Sequence, residues 1–365
     1  MFPLFKMALN YKINLSGCYK IYNSNRITNR TLIGAFLRKK LLLLFFVLTT
    51  SLCSSQEIMV NDTTDNKNLI DSLLIDHDFK NWSVRLFGNI KAQGFDLAND
   101  DVQLSYIPNN LYGIGIGVAT RKLILDIAFN IKDKTTENTD RFDLQALFFI
   151  KNHSFDFFFQ IYDGFNVENS INGNSVFRGD IRSIATGIDH LYLFNKNAEY
   201  QTRLLMSGLE SEREDIFSFG LGGFFIYNQI SADESIVPAE FAPIFNEQGR
   251  ITKVTSYGIG VKGGLAGLYN LPSNFFIGVR GEAGIGLTIK NIDAESISYN
   301  SKNPVLYKLR GAVIFGYLLR RFYANIAFRA GYNSSNLGFG NNGAFTLLSG
   351  KLALGYRIIG NKKSN

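Results

Sequence analysis

Past residue 55 the chain has no cysteine, because Cys18 and Cys53 both lie before that point. The remainder is therefore no disulfide scaffold, thiolate metal site or cysteine-nucleophile enzyme. Proline and tryptophan are scarce, with six and one in 365 residues, whereas there are 34 glycines, 32 phenylalanines and 17 tyrosines. That balance suits strands better than helices. Also missing are a sustained 3.6-residue period and an apolar run of about eighteen residues, which excludes helical membrane spans. The formal charge of +7 is a property of one segment: residues 1–55 hold eight basic residues and no acid. Everything after it is within one charge of neutral, which removes the case for a nucleic-acid partner.

The basic segment reads as a leader. Arg38-Lys39-Lys40 precede the apolar run Leu41 to Leu48, and Cys53 and Ser55 stand three and one residues before Gln56. A cationic start, a short apolar stretch and a small-residue exit describe a cleavable export signal, with cleavage before Gln56. The alternatives are a buried core helix and a lipoprotein acylated at Cys53, the latter opposed by the bulky Leu52. The residues before Leu37 fit no part of such a signal, so the true start is expected near Leu37. The organisation expected is a leader over 1–55, a short periplasmic segment over 56–81, a barrel over 82–359 and a tail over 360–365.

What recurs along the body is alternation. In 122–132, Leu123, Leu125, Ile127, Phe129 and Ile131 share one face and Lys122, Asp126, Asn130 and Lys132 the other. The same split appears in 274–290 and 321–333. Strands are expected near 82–95, 110–119, 122–132, 141–151, 154–164, 181–194, 198–209, 215–230, 252–269, 274–291, 305–318, 321–333 and 344–358. Short connections such as Thr120-Arg121, Asn152-His153 and Arg320-Arg321 alternate with longer segments at 133–140, 165–180, 231–251, 292–304 and 334–343. Unequal loops on a meander are the mark of a transmembrane barrel with short periplasmic turns. A single-chain barrel of this type has an even strand count, so thirteen candidates reduce to twelve, with fourteen and ten as alternatives. The fold class expected is all-β, a transmembrane antiparallel up-and-down β-barrel of about 12 strands.

A soluble barrel also alternates, but it must keep its outer face polar. Here the apolar faces carry almost no ionisable residue, whereas the opposite faces carry Gly, Arg, Lys and Asn, as with Gly113, Gly115 and Gly117 between Tyr112, Ile114, Ile116 and Val118. Aromatics near strand ends (Tyr200, Tyr227, Tyr257, Tyr269, Phe322, Tyr356) are candidates for interfacial girdles. The expected location is the outer membrane of a Gram-negative bacterium after signal cleavage, with outer-membrane lipid and the export and barrel-assembly machinery as partners.

Four segments, SYIPNN (105–110), YDGFN (162–166), LYLFN (191–195) and GGFFIYNQISADESIVP (222–238), resemble the Bacteroidota outer-membrane barrel family known as domain of unknown function 4421. The resemblance covers roughly residues 70 to 359. It implies an exported barrel and carries no catalytic residue.

The search for chemistry finds little. His153 in Asn152-His153-Ser154 is expected in a solvated turn, and Asp189 and His190, adjacent in a strand, point to opposite faces. His77 stands alone before the first strand, and the acids at 62, 65, 71, 76 and 78 lack the glycine-centred loop of a calcium hand. No enzyme activity, cofactor or metal is expected, and a barrel lipid hydrolase ranks last. The strand periodicity sends Arg85, Lys91, Lys122, Lys132, Arg141, Arg203, Lys262, Arg280, Lys308, Arg310, Arg321, Arg329, Lys351 and Arg357 inward, against Asp126, Asp143, Asp156, Glu199 and Glu282. The bland account of this interior is a ladder of paired charges bracing a packed barrel. The sharper one is passage or binding of small anionic solutes, with Lys122, Arg203, Lys262, Arg280, Lys308, Arg310, Arg321, Arg329 and Lys351 as candidate anion contacts. A structural, assembly or adhesion role through the loops at 165–180 and 231–251 is the alternative.

Overall fold

In the computed structural model, residues 81–359 are described apart from 121–122, 132–136, 151, 172, 196–214 and 320. The strands are β1 (Asn81–Ala98), β2 (Gln103–Ile107), β3 (Tyr112–Ala119), β4 (Leu123–Asn130), β5 (Asp140–Ile150), β6 (His153–Asn169) and β7 (Ser175–Leu193). They continue with β8 (Ile216–Ser231), β9 (Ile251–Asn270), β10 (Phe275–Ala294), β11 (Ser298–Asn300), β12 (Val305–Leu318), β13 (Phe322–Gly338) and β14 (Asn341–Ile359). Twelve of them close an antiparallel ring, β1-β3-β4-β5-β6-β7-β8-β9-β10-β12-β13-β14, and β14 returns to β1 from Asn81↔Ile359 to Ala98↔Asn342. The ring closes on itself and leaves no strand of the wall as a free edge, as a lipid-embedded backbone requires. Of the thirteen expected strands, twelve fall on the ring; the thirteenth, 198–209, lies outside the described residues, as do the leader, His77 and Tyr200.

Alternation decides which side chains meet lipid. Ile285, Leu287 and Ile289 on β10, Ile114 and Ile116 on β3, and Leu352 and Leu354 on β14 all point outward and are exposed. Aromatic pairs bound this band: Tyr307 and Tyr317 on β12, and Phe322 and Tyr332 on β13, are each ten residues apart. Ten residues of strand are about 33 Å long, and a tilt of roughly 40° reduces that to about 25 Å of height, the apolar thickness of such barrels. Tyr227 packs on Tyr257 at the outer rim (5.0 Å) and Phe322 on Tyr356 at the terminal rim (5.2 Å).

Beyond the outer rim the pattern inverts. On β10 the outward row ends with Asn291 and Asp293, while Ile292 and Ala294 turn inward and are buried. The wall narrows here as well, because β2 pairs with both β1 and β6 and so replaces the shorter β3, β4 and β5. Phe95, Leu97, Leu104, Tyr106, Phe165 and Ile181 from this collar pack with Ile236, Val237, Phe241 and Phe245 of the 232–250 segment in one apolar core. Burying the last four contributes about 6 to 12 kcal/mol, an upper bound. The barrel thus ends in a folded cap.

Three expected loops are corrected by this extension. Residues 165–180 are mostly wall, since β6 runs to Asn169 and β7 starts at Ser175. Residues 334–343 shrink to a turn at Phe339-Gly340, where φ is +53° and +82°. Residues 292–304 contain β11, which folds back on β10. Residues 231–251 do remain a long connection, between β8 and β9, and form the cap.

Candidate functional site

The interior begins with a bed of glycines. A Cβ at Gly113 would strike Arg141 and Asn89, one at Gly115 the Phe87 ring, and one at Gly117 Asp126 and Arg85. The alternate glycines of β3 make room for large side chains from β1, β4 and β5 to lie across the wall.

On that bed sits a charged layer at mid-height. Arg85 pairs with Asp126 (2.8 Å), which also receives Lys351; the Lys351 ammonium lies over the Phe87 ring, 3.7 Å from its centroid. Lys91 pairs with Asp143, which further accepts from Tyr162 (3.0 Å) and Gln160 (3.1 Å) and lies beside Arg141 (3.9 Å). Asp189, 1% exposed, receives Lys308, Lys262 (3.3 Å) and Arg310 (3.0 Å). Glu282 takes Lys262 (2.6 Å) and Arg280 (2.5 Å). Two links cross the lumen: Arg310 of β12 to Asp156 of β6 (2.9 Å), and Arg329 of β13 to the Gln145 side chain of β5 (2.6 Å). Each joins strands five places apart in a ring of twelve, so nearly opposite walls are tied together.

Among the described residues, nine cations of this layer (Arg85, Lys91, Arg141, Lys262, Arg280, Lys308, Arg310, Arg329, Lys351) meet five carboxylates (Asp126, Asp143, Asp156, Asp189, Glu282). Eight of the nine have a carboxylate partner. Arg329 has the neutral amide of Gln145 instead.

Apolar layers flank the charges. Toward the termini, Ala119, Ile124, Leu147 and Phe149 form one inward cluster and Leu268, Phe276, Ile314, Leu318, Tyr323 and Ala327 another. Toward the outside stands the cap, latched through its backbone: Tyr106 Oη donates to the Ile236 carbonyl (2.9 Å), Arg178 to that of Ser235 (3.1 Å) and Tyr299 Oη to that of Gln248 (3.0 Å). Burial pushes the Tyr299 phenol up to about 12. Below the cap lies a cavity of about 200 Å³, lined from Gln93, Asn228 and Phe345 through the charged layer to Phe149 and Leu193.

Of the residues singled out as anion contacts, Lys262, Arg280, Lys308, Arg310, Arg329 and Lys351 stand in this layer, and Lys122 and Arg203 lie outside the described residues. Arg321 does not join them: it sits exposed in the turn before β13, 3.4 Å from the outward Tyr356 hydroxyl. Asp189 is not among the expected inward acids: its opposition to His190 separates the two faces without saying which is the lumen, and the structure puts Asp189 inside. His153 is the first residue of β6 rather than a turn residue, and its Nδ1 lies 2.8 Å from His190 Nε2. This pair sits among Phe155 and Tyr192 on the outward face, away from the lumen acids. Among the described residues no group of three or more His, Cys, Asp or Glu is placed to hold a metal.

A closed ring with a lipid-facing apolar band and a polar interior defines an integral-membrane β-barrel of the outer-membrane type. The chain belongs to the domain of unknown function 4421 family (DUF4421), whose model matches residues 69–357. Similar solved structures include the outer membrane protease OmpT of Escherichia coli, at 12% identity and a TM-score of 0.36, covering 76% of this chain and 96% of that one. The β domain of the Bordetella autotransporter BrkA matches at 10% identity and a TM-score of 0.35, with 75% and 99% covered. The transport unit of the E. coli autotransporter AIDA-I matches at 12% and 0.32, with 80% and 96% covered. No curated protein matches the sequence.

Proposed function

We propose that the protein is an outer-membrane barrel, exported by a cleaved signal, that binds a small anionic solute in its central chamber and does not conduct in its resting form. The observation that carries this reading is the charge imbalance around the cavity, whose lining holds six cations (Lys91, Arg280, Lys308, Arg310, Arg329, Lys351) and three carboxylates (Asp126, Asp143, Asp156), with Arg329 bonded to the Gln145 amide rather than to a carboxylate. A low-dielectric wall with excess positive charge concentrates anions. Binding is favoured over passage because the cap fills the outer mouth and two links cross the lumen. No catalytic role is assigned, since His153 and His190 face lipid. Its partners are outer-membrane lipid and the export and assembly machinery.

The test is calorimetric titration of the refolded mature chain with sodium acetate and sodium phosphate, beside conductance in planar bilayers. Saturable anion binding by a silent barrel is expected. A steady open conductance, or no binding of these anions or of any organic carboxylate, would overturn the reading and leave a scaffold role as the account of the fold.

A further inference from the structure

The surroundings of Arg329 say what kind of anion fits. Its guanidinium has five N–H donors, of which the bond to Gln145 accounts for one. Gln145 in turn donates to Asp156 (3.1 Å), so its amide is oriented from both sides and holds the arginine across the lumen. Directly opposite Gln145 in the β5–β6 register is Phe158, whose ring leans over Gly187 of β7. The next inward residues along β5 are Leu147 and Phe149. Arg329, Gln145, Asp156, Phe158, Leu147 and Phe149 all line the cavity. A planar cation with unused donors therefore stands at the edge of an apolar surface.

We propose that the chamber's ligand is a small organic carboxylate with an apolar body, its carboxylate held by Arg329 and its body lying against Phe158, Leu147 and Phe149. This rests on the anion-binding reading above and narrows it. The fork of a guanidinium matches the two oxygens of a carboxylate, whereas a bare inorganic ion would leave the apolar wall without contacts. The cavity of about 200 Å³ is below the roughly 300–1,000 Å³ of drug-sized pockets. It suits an aromatic or short aliphatic acid and excludes a peptide or a complete lipid.

Sodium benzoate, acetate and phosphate at fixed ionic strength, titrated into the folded barrel in micelles, test this. Benzoate is expected to bind at least tenfold more tightly than acetate or phosphate. Arg329→Gln should weaken benzoate at least tenfold and also correct for partitioning into micelles, while Arg329→Lys should restore part of the affinity. If Arg329→Gln does not fold, Phe158→Asn decides: it should bring benzoate down toward acetate and leave acetate unchanged. Acetate or phosphate binding as tightly as benzoate would overturn the organic-acid assignment and leave the anion-binding reading standing. No binding of any of the three would overturn both.

Discussion

Asp189 holds three cations at the centre of the charged layer while almost fully buried. Removing one member of a buried ion pair leaves the others desolvated and unpaired, at about 3–5 kcal/mol. Asp189→Asn should therefore lower the chemical-denaturation midpoint of the micelle-folded barrel strongly, whereas Glu240→Gln, at an exposed position of the cap, should be close to silent. Gly117→Ala is expected to be destabilising for a steric reason, because its Cβ would collide with Asp126 and Arg85 and part that pair. Which way these residues face was legible from period two alone, as was the need for room above β3. Their partners were not, because Asp126 and Lys351, 225 residues apart, become neighbours only when the ring closes.

At the scale of elements, the cap is where local pattern reading stopped short. Alternation continues along β6, β7, β13 and β14 past the membrane, but the apolar residues change sides, so the strand ends look like loops. Phe241→Asp should melt the cap and leave the ring intact. Trypsin would then cut after the half-buried Arg250 in the variant and spare it in the parent, while both keep the slow heat-modified migration of a folded barrel. Alkali should loosen the same element. The folded Tyr299 holds its proton up to about 12, against an ordinary tyrosine pKa of about 10. Its contribution is complete below pH of about 10 and is lost as pH rises through about 12. Cleavage of the cap by proteinase K, which stays active in alkali, should rise over that window, and less steeply in Tyr299→Phe.

At the scale of the molecule, the barrel has two solvents to satisfy: lipid around a band about 25 Å tall and water around the cap. Ile326, outward and near the middle of that band on β13, is 41% exposed, and Ile326→Arg should cost about 2–4 kcal/mol in lipid. Equilibrium unfolding in vesicles would measure this, and a loss equal to that of Ile326→Ala would refute the lipid-facing assignment. The sequence by itself determined where twelve of the strands lie within the membrane, a ring of about that size and the split between lipid and lumen faces, because side-chain direction in a strand depends only on the parity of position. The tertiary structure alone decided where that split inverts, which charges pair across the lumen and that Arg329 is left facing an apolar wall. Those features depend on closure and register, which bring together strands far apart in the chain and have no local signature.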